Sequence, residues 1–190
     1  ISGTCGKTAA TVLIQQVFQQ LGKKTGALSD LCFDNGKDVA DCPEVKPDSK
    51  VYANWLGAMV ANKCQIACIE LNATDLADQT SACIELDYVV ITRLADFQSS
   101  ASAINHQTLR ATTNIIASLK STGVVIINAD DAASRFDLPR IESPTLTIGS
   151  NDDCDIWVEH LNHSVDGQRF RLHAGTDEAI VFTPIIGHHH

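Results

Sequence analysis

No apolar run in this chain approaches the ~20 residues that cross a bilayer, and no signal peptide is visible. Both absences set the expectation of a cytoplasmic protein with no membrane partner. Basic residues are also scarce, 14 Lys and Arg against 23 Asp and Glu, for a net charge of −9. A general nucleic-acid binder needs a basic surface, so that class is excluded. A ligand with a few phosphates needs only one local positive pocket and stays open. Seven cysteines are present, at 5, 32, 42, 64, 68, 83 and 154, but no C-x-x-C pair occurs. Cys64 and Cys68 are read onto one strand, with no histidine nearby. The thiols are therefore expected to be mostly buried small hydrophobes in a reducing compartment rather than metal ligands. Internal repeats and low-complexity stretches are missing too. What remains, 190 residues at 44% hydrophobic, suits one domain with a substantial core.

The first eight residues, Ile1-Ser2-Gly3-Thr4-Cys5-Gly6-Lys7-Thr8, carry the chemistry. Gly-Lys-Thr running into Thr11-Val12-Leu13-Ile14 reads as a phosphate-gripping turn that opens a helix. The glycines leave backbone N–H groups uncovered, and the positive end of the helix dipole faces the same point. Lys7 would add a cation for terminal phosphates, and the Thr8 hydroxyl would sit on Mg²⁺. The first glycine of the general G-x-x-x-x-G-K-[ST] pattern falls on Ile1. Cys5, at a helix N-terminus, is expected to be reactive. A glycine turn capping an ordinary helix is the competing reading. Because the chain opens inside the loop, residues upstream are expected to be missing and the chain to be an excised domain.

Along the chain, Ala10, Leu13, Ile14, Val17, Phe18 and Leu21 predict the buried stripe of a helix over 7–21, ended by Gly22. Residues 25–28 read as a short strand and 32–47 as a turn-rich surface excursion. Ser49 is expected to cap a second helix with Tyr52, Trp55, Leu56, Met59 and Val60 on its apolar face. Apolar runs at 65–71, 88–92 and 124–127 suit parallel strands buried on both faces. A helix is expected over about 100–120. Strands alternating with helices imply an α/β doubly wound, mostly parallel sheet flanked by helices. In such sheets the chemistry collects at the carboxyl ends of the strands, where Glu70, Thr92 to Gln98 and Asn128 to Asp131 fall. After Pro139, β-rich segments and Asp166-Gly167 predict a small antiparallel appendix. The expected division is a P-loop core over 1–138 and this appendix over 139–190 of the same domain.

Gly3-Thr4-Cys5-Gly6-Lys7-Thr8, Ile69-Glu70-Leu71 and Val125-Ile126-Ile127-Asn128-Ala129-Asp130-Asp131, in that order, resemble the central, ATP-binding domain of the Mur ligase family. The nearest likeness is to its UDP-N-acetylmuramyl-tripeptide synthetase branch. Pro184 to His189 is similar to the boundary before that family's C-terminal domain, so the resemblance covers essentially the whole chain. It implies an ATP-dependent ligase that phosphorylates a substrate carboxylate, after which an amine attacks the acyl phosphate. ATP would be bound by Gly3, Thr4, Cys5, Gly6, Lys7, Thr8, Asn128 and Asp131. Lys7 and Glu70 would be catalytic, with Thr8 and Glu70 holding Mg²⁺. The partners implied for the full-length protein are a UDP-linked muropeptide and an amino acid, bound between domains, so that this domain alone is expected to be inactive.

The departures from the pattern are specific. After Thr92 the family's metal-binding histidine is replaced by Gln98 or a neighbour. The lysine that the family carbamylates is absent, since Lys120 alone lies between Thr92 and Asn128, and Arg110 is the nearest cation to that place. Asn72-Ala73 stands where Ser-Ser is usual. His106 reads as an exposed helical histidine. Asp130 and Asp131 read equally well as caps of a turn over 132–136. A degenerate Mur-like nucleotide-binding module without ligase activity is therefore the alternative, and an unrelated P-loop ATPase or kinase a weaker third. His188-His189-His190 reads either as a tag or as the domain junction, and no metal binding is inferred from it.

Overall fold

A computed structural model describes residues 1–43, 48–72, 84–95, 106–131, 133–134 and 141–185. In chain order the elements are α1 (Lys7–Gln20), β1 (Thr25–Leu28), β2 (Cys32–Asp34), β3 (Val39–Asp41), α2 (Ser49–Ala61), β4 (Ile66–Ile69), β5 (Leu86–Ile91), α3 (His106–Ile116), β6 (Leu119–Asn128), β7 (Thr145–Gly149), β8 (Ile156–Ser164), β9 (Gly167–Ala174) and β10 (Asp177–Thr183). They form two sheets, ordered β3-β2-β1-β4 and β10-β9-β8-β7-β6-β5. Pairing is parallel for β1 with β4 and for β5 through β8, and antiparallel at both outer ends. This is the mostly parallel α/β architecture that the apolar runs predict.

Two residues stitch the sheets together. The Ile1 nitrogen donates to Ile69 O at 2.7 Å and Leu71 N–H donates to Ile1 O at 2.9 Å. On the other side Ser2 N–H donates to Val90 O (2.8 Å) and Thr92 N–H to Ser2 O (2.9 Å). The phosphate loop thus leaves from between β4 and β5, at their carboxyl ends. Beneath this line sits a core of Leu28, Phe33, Ile69, Leu71, Val89, Ile91, Leu94, Ile115, Val125 and Ile127. Fully burying each large aliphatic side chain is worth roughly 1.5–3 kcal/mol.

Several sequence expectations are corrected. On α1 it is Thr11 and Gln15 that are buried, while Leu13, Val17 and Leu21 are exposed. The helix is turned because both polar groups are satisfied inside: Thr11 donates to Lys7 O and Gln15 to Asp34 Oδ2 on β2 (2.7 Å). Gly22 does end it, at φ 73°, with Lys23 N–H on Phe18 O and Gly22 N–H on Gln19 O in a Schellman arrangement. The segment after Cys32 holds the β2–β3 hairpin, whose turn is organised by Asn35 Oδ1 accepting from Lys37 and Asp38 N–H. The cap of α2 is Asp48, which accepts from Val51 N–H at 2.9 Å, rather than Ser49. Tyr52 and Trp55 pack on Phe33, whereas Val60 is exposed.

The helix expected to reach Lys120 stops at Ile116, and Lys120 belongs to β6, where its Nζ meets Asp87 Oδ1 at 2.8 Å. β7 is parallel to β6 and β8 is parallel to β7, so within the expected antiparallel appendix only the β8–β9 and β9–β10 pairings are antiparallel. Alternating and β-branched residues mark a strand but leave its direction open. The β8–β9 turn is Val165-Asp166, with Gly167 (φ 137°) already paired to Ser164. Cys5, Cys32, Cys42 and Cys64 are half-exposed, and only Cys68 and Cys154 are buried among the described cysteines. Cys64 lies ahead of β4, its Sγ 3.2 Å from Asn35 O, so it shares no strand with Cys68. Cys83 lies outside the described residues.

Candidate phosphate-binding site

The loop over Gly3–Gly6 is held by the segment that follows β5. Thr4 N–H donates to Arg93 O (2.7 Å) and Thr4 Oγ1 to Ala95 O (2.9 Å). Gly3 has φ 139°, and a Cβ there would stand 2.4 Å from Thr92 Oγ1 and 2.6 Å from Arg93 O. Gly6 (φ 78°) is the N-cap of α1 and offers no side-chain cap. The first-turn N–H groups of α1 are therefore left to an outside acceptor, which the helix dipole favours as an anion. Among the described residues the Lys7 ammonium makes no hydrogen bond or ion pair that would hold it elsewhere.

Glu70 follows the last residue of β4 and is 2% exposed. Its Oε1 accepts from Thr8 Oγ1 at 3.0 Å and its Oε2 from Asp30 N–H at 3.0 Å. Asp30 is in turn held by Asn72 Nδ2 at 3.1 Å. A buried carboxylate with only two donors keeps lone pairs for a cation. Two oxygens on adjacent corners of an octahedral Mg²⁺ site, with bonds of 2.0–2.1 Å, lie about 2.9 Å apart. The Thr8 and Glu70 oxygens have that spacing, so this donor set fits a hard cation. Among the described residues no group of three or more His, Cys, Asp and Glu could hold a metal; the pair here mixes a hydroxyl with a carboxylate.

Asn128 and Asp131 face the protein. Asn128 Nδ2 donates to Thr92 O (3.0 Å) and its Oδ1 accepts from Asp130 N–H (3.0 Å). Asp131 is buried, with Oδ2 accepting from Leu94 N–H (2.7 Å), Ser134 N–H (3.0 Å) and Ser134 Oγ (2.5 Å). Its Oδ1 lies 3.9 Å from Arg93 Nε. Asp130 takes Ser150 N–H and Oγ, tying β6 to the end of β7. The capping reading of Asp131 holds at Ser134, and the same carboxylate also braces the segment under the phosphate loop.

The structure thus brings Gly3, Thr4, Cys5, Gly6, Lys7, Thr8 and Glu70 to one place, with Asn128 and Asp131 behind it. Sequence reasoning missed Thr92 and Asp30 as individual residues. The signal for Thr92 was its position one residue past β5. Gln98 lies outside the described residues. Arg110 is exposed on α3, and Lys120 lies at the opposite end of β6 from Asn128. No helix among the described residues is long and apolar enough to cross a membrane.

Residues 1–190 match the family described as Mur ligase middle domain. The UDP-N-acetylmuramoyl-L-alanyl-D-glutamate–2,6-diaminopimelate ligase of Chlamydia abortus is 25% identical over 193 residues, covering 100% of this chain and 39% of that protein. Its counterpart in Geobacillus kaustophilus is 23% identical, covering 98% and 40%. A solved structure of a ligase of that name superposes with a TM-score of 0.78 at 20% identity, over 99% of this chain and 39% of the other. The MurF ligase of Thermotoga maritima in complex with ADP gives a TM-score of 0.66 at 15% identity, over 96% and 39%. These likenesses establish the fold. The chain spans about two fifths of the length of these relatives.

Proposed function

Because this chain belongs to the Mur ligase middle-domain family, we propose that its phosphate loop binds ATP for an amide-forming ligase. The protein carrying it would join an amino acid to the carboxylate of a UDP-linked muropeptide in the cytoplasm. The observation that carries this reading is the Thr8–Glu70 pair set beneath the uncapped start of α1. The names of the relatives support the substrate class, and the ADP in one neighbour supports the nucleotide.

The terminal phosphoryl group passes from ATP to the substrate carboxylate, and ADP leaves. The amine then attacks the acyl carbon, inorganic phosphate departs, and an amide remains. Lys7 and the first-turn N–H groups of α1 hold the phosphates and offset charge as it shifts toward ADP. Thr8 and Glu70 would hold Mg²⁺, which supplies further neutralisation of phosphate charge when bound. Asn128 and Asp131 shape the nucleotide site from behind by fixing Thr92 and Leu94. Residues 1–190 act as one unit, and other parts of the longer enzyme supply the carboxylate and the amine.

The test is phosphate release by the full-length protein with ATP, UDP-muropeptide and amino acid. Release that requires both acceptor substrates supports ligation. ATP binding without turnover under every such addition would overturn it in favour of a non-ligating nucleotide module.

A further inference from the structure

We infer that Thr92 is a positioning residue for the phosphate loop, acting through the carbonyl of Cys5; this rests on the nucleotide reading above. Three of its groups face three different partners. Its N–H donates to Ser2 O (2.9 Å), its carbonyl accepts from Asn128 Nδ2 (3.0 Å), and its hydroxyl lies 2.6 Å from Cys5 O and 3.2 Å from Ser2 O. One hydroxyl proton serves one acceptor well, and the shorter distance assigns it to Cys5.

That bond sets a direction. The Cys5–Gly6 peptide is planar, with its C=O and N–H opposed. Drawing the Cys5 carbonyl toward β5 turns the Gly6 N–H away from the sheet, to the side where the α1 start and Lys7 present their positive charge. Gly3 makes the approach possible, since any Cβ there would collide with the Thr92 hydroxyl at 2.4 Å. Asn128 closes the arrangement by holding the Thr92 carbonyl from β6. The loop conformation is thus fixed by a threonine that acts through the backbone carbonyl of Cys5.

The experiment is calorimetric titration of ATP, ADP and AMP into the full-length protein and its T92S, T92V and K7A variants, each checked for a cooperative melt. T92S retains the donor and is expected to bind ATP within about twofold of the parent. T92V keeps the volume but lacks the proton, and is expected to weaken ATP and ADP roughly tenfold. AMP, which reaches less of the loop, should change far less, a split that general loosening of the fold would not give. If T92V does not melt cooperatively, T92A makes the same comparison. Full ATP affinity in a folded T92V or T92A, with K7A still impaired, would overturn the role of Thr92. A full-length parent protein that binds no ATP would instead overturn the nucleotide reading itself.

Discussion

The hydroxyl of Thr8 donates to Oε1 of Glu70 at 3.0 Å, joining the first turn of α1 to the end of β4 across 62 positions of sequence. Neither residue is close to the other in the chain, and neither bond partner is needed to complete its own element. Their spacing matches two adjacent ligands of one small divalent cation.

Magnesium dependence follows from that pair. ATP binding to the parent chain should weaken on adding EDTA, read by calorimetry. Glu70→Gln keeps the shape and loses the charge, so its affinity in excess Mg²⁺ should fall about tenfold. EDTA should then change the variant little. An E70Q chain that responds to EDTA as the parent does would place the cation elsewhere.

The glycine at position 3 has no tolerated replacement. Gly3→Ala adds a methyl group 2.4 Å from Thr92 Oγ1 and 2.6 Å from Arg93 O, on a backbone with φ 139°. Backbone strain of this kind costs about 1–3 kcal/mol, and the steric contacts add to it. Urea unfolding should show that loss, together with ATP affinity reduced by at least about tenfold. Gly22→Ala, at the exposed end of α1, should cost less and leave ATP binding intact.

The thiols should separate by position. Burial pushes the Cys68 thiol up to about 11, so at pH 8 it is almost wholly protonated as well as enclosed. Iodoacetamide should leave it unmodified until the chain unfolds. Cys5 is half-exposed on the phosphate loop, and its alkylation should slow when ATP is added. Peptide mass spectrometry reads both; labelling of Cys5 that ignores saturating ATP would remove the nucleotide from this loop.

Much of the fold was legible because its signals are local. The Gly-Lys-Thr turn, the bounds of β1 and the Gly22 stop each depend on a few adjacent residues, and Glu70 follows from where a buried strand ends. The face of α1 was not legible. Leu13, Val17 and Leu21 look like core by period, but Gln15 reaches Asp34 and the Thr11 hydroxyl donates to Lys7 O one turn back, which no spacing rule weighs. The extension of β6 back to Leu119 depends on pairing with Leu86, a partner distant in sequence. The direction of β7 depends on its neighbour in the same way. Thr92 escaped because threonine at a strand end is ordinary until Gly3 and Cys5 are seen against it.

The most direct measurement compares ATP binding by the parent chain and by Lys7→Ala in the presence of Mg²⁺. The parent should bind saturably, and K7A should lose at least about tenfold in affinity while melting at the parent's temperature, because the Lys7 ammonium would serve phosphate while the Lys7 carbonyl that Thr11 bonds is kept in the variant. Equal affinity in the two proteins would show that the loop from Gly3 to Thr8 does not hold the phosphates.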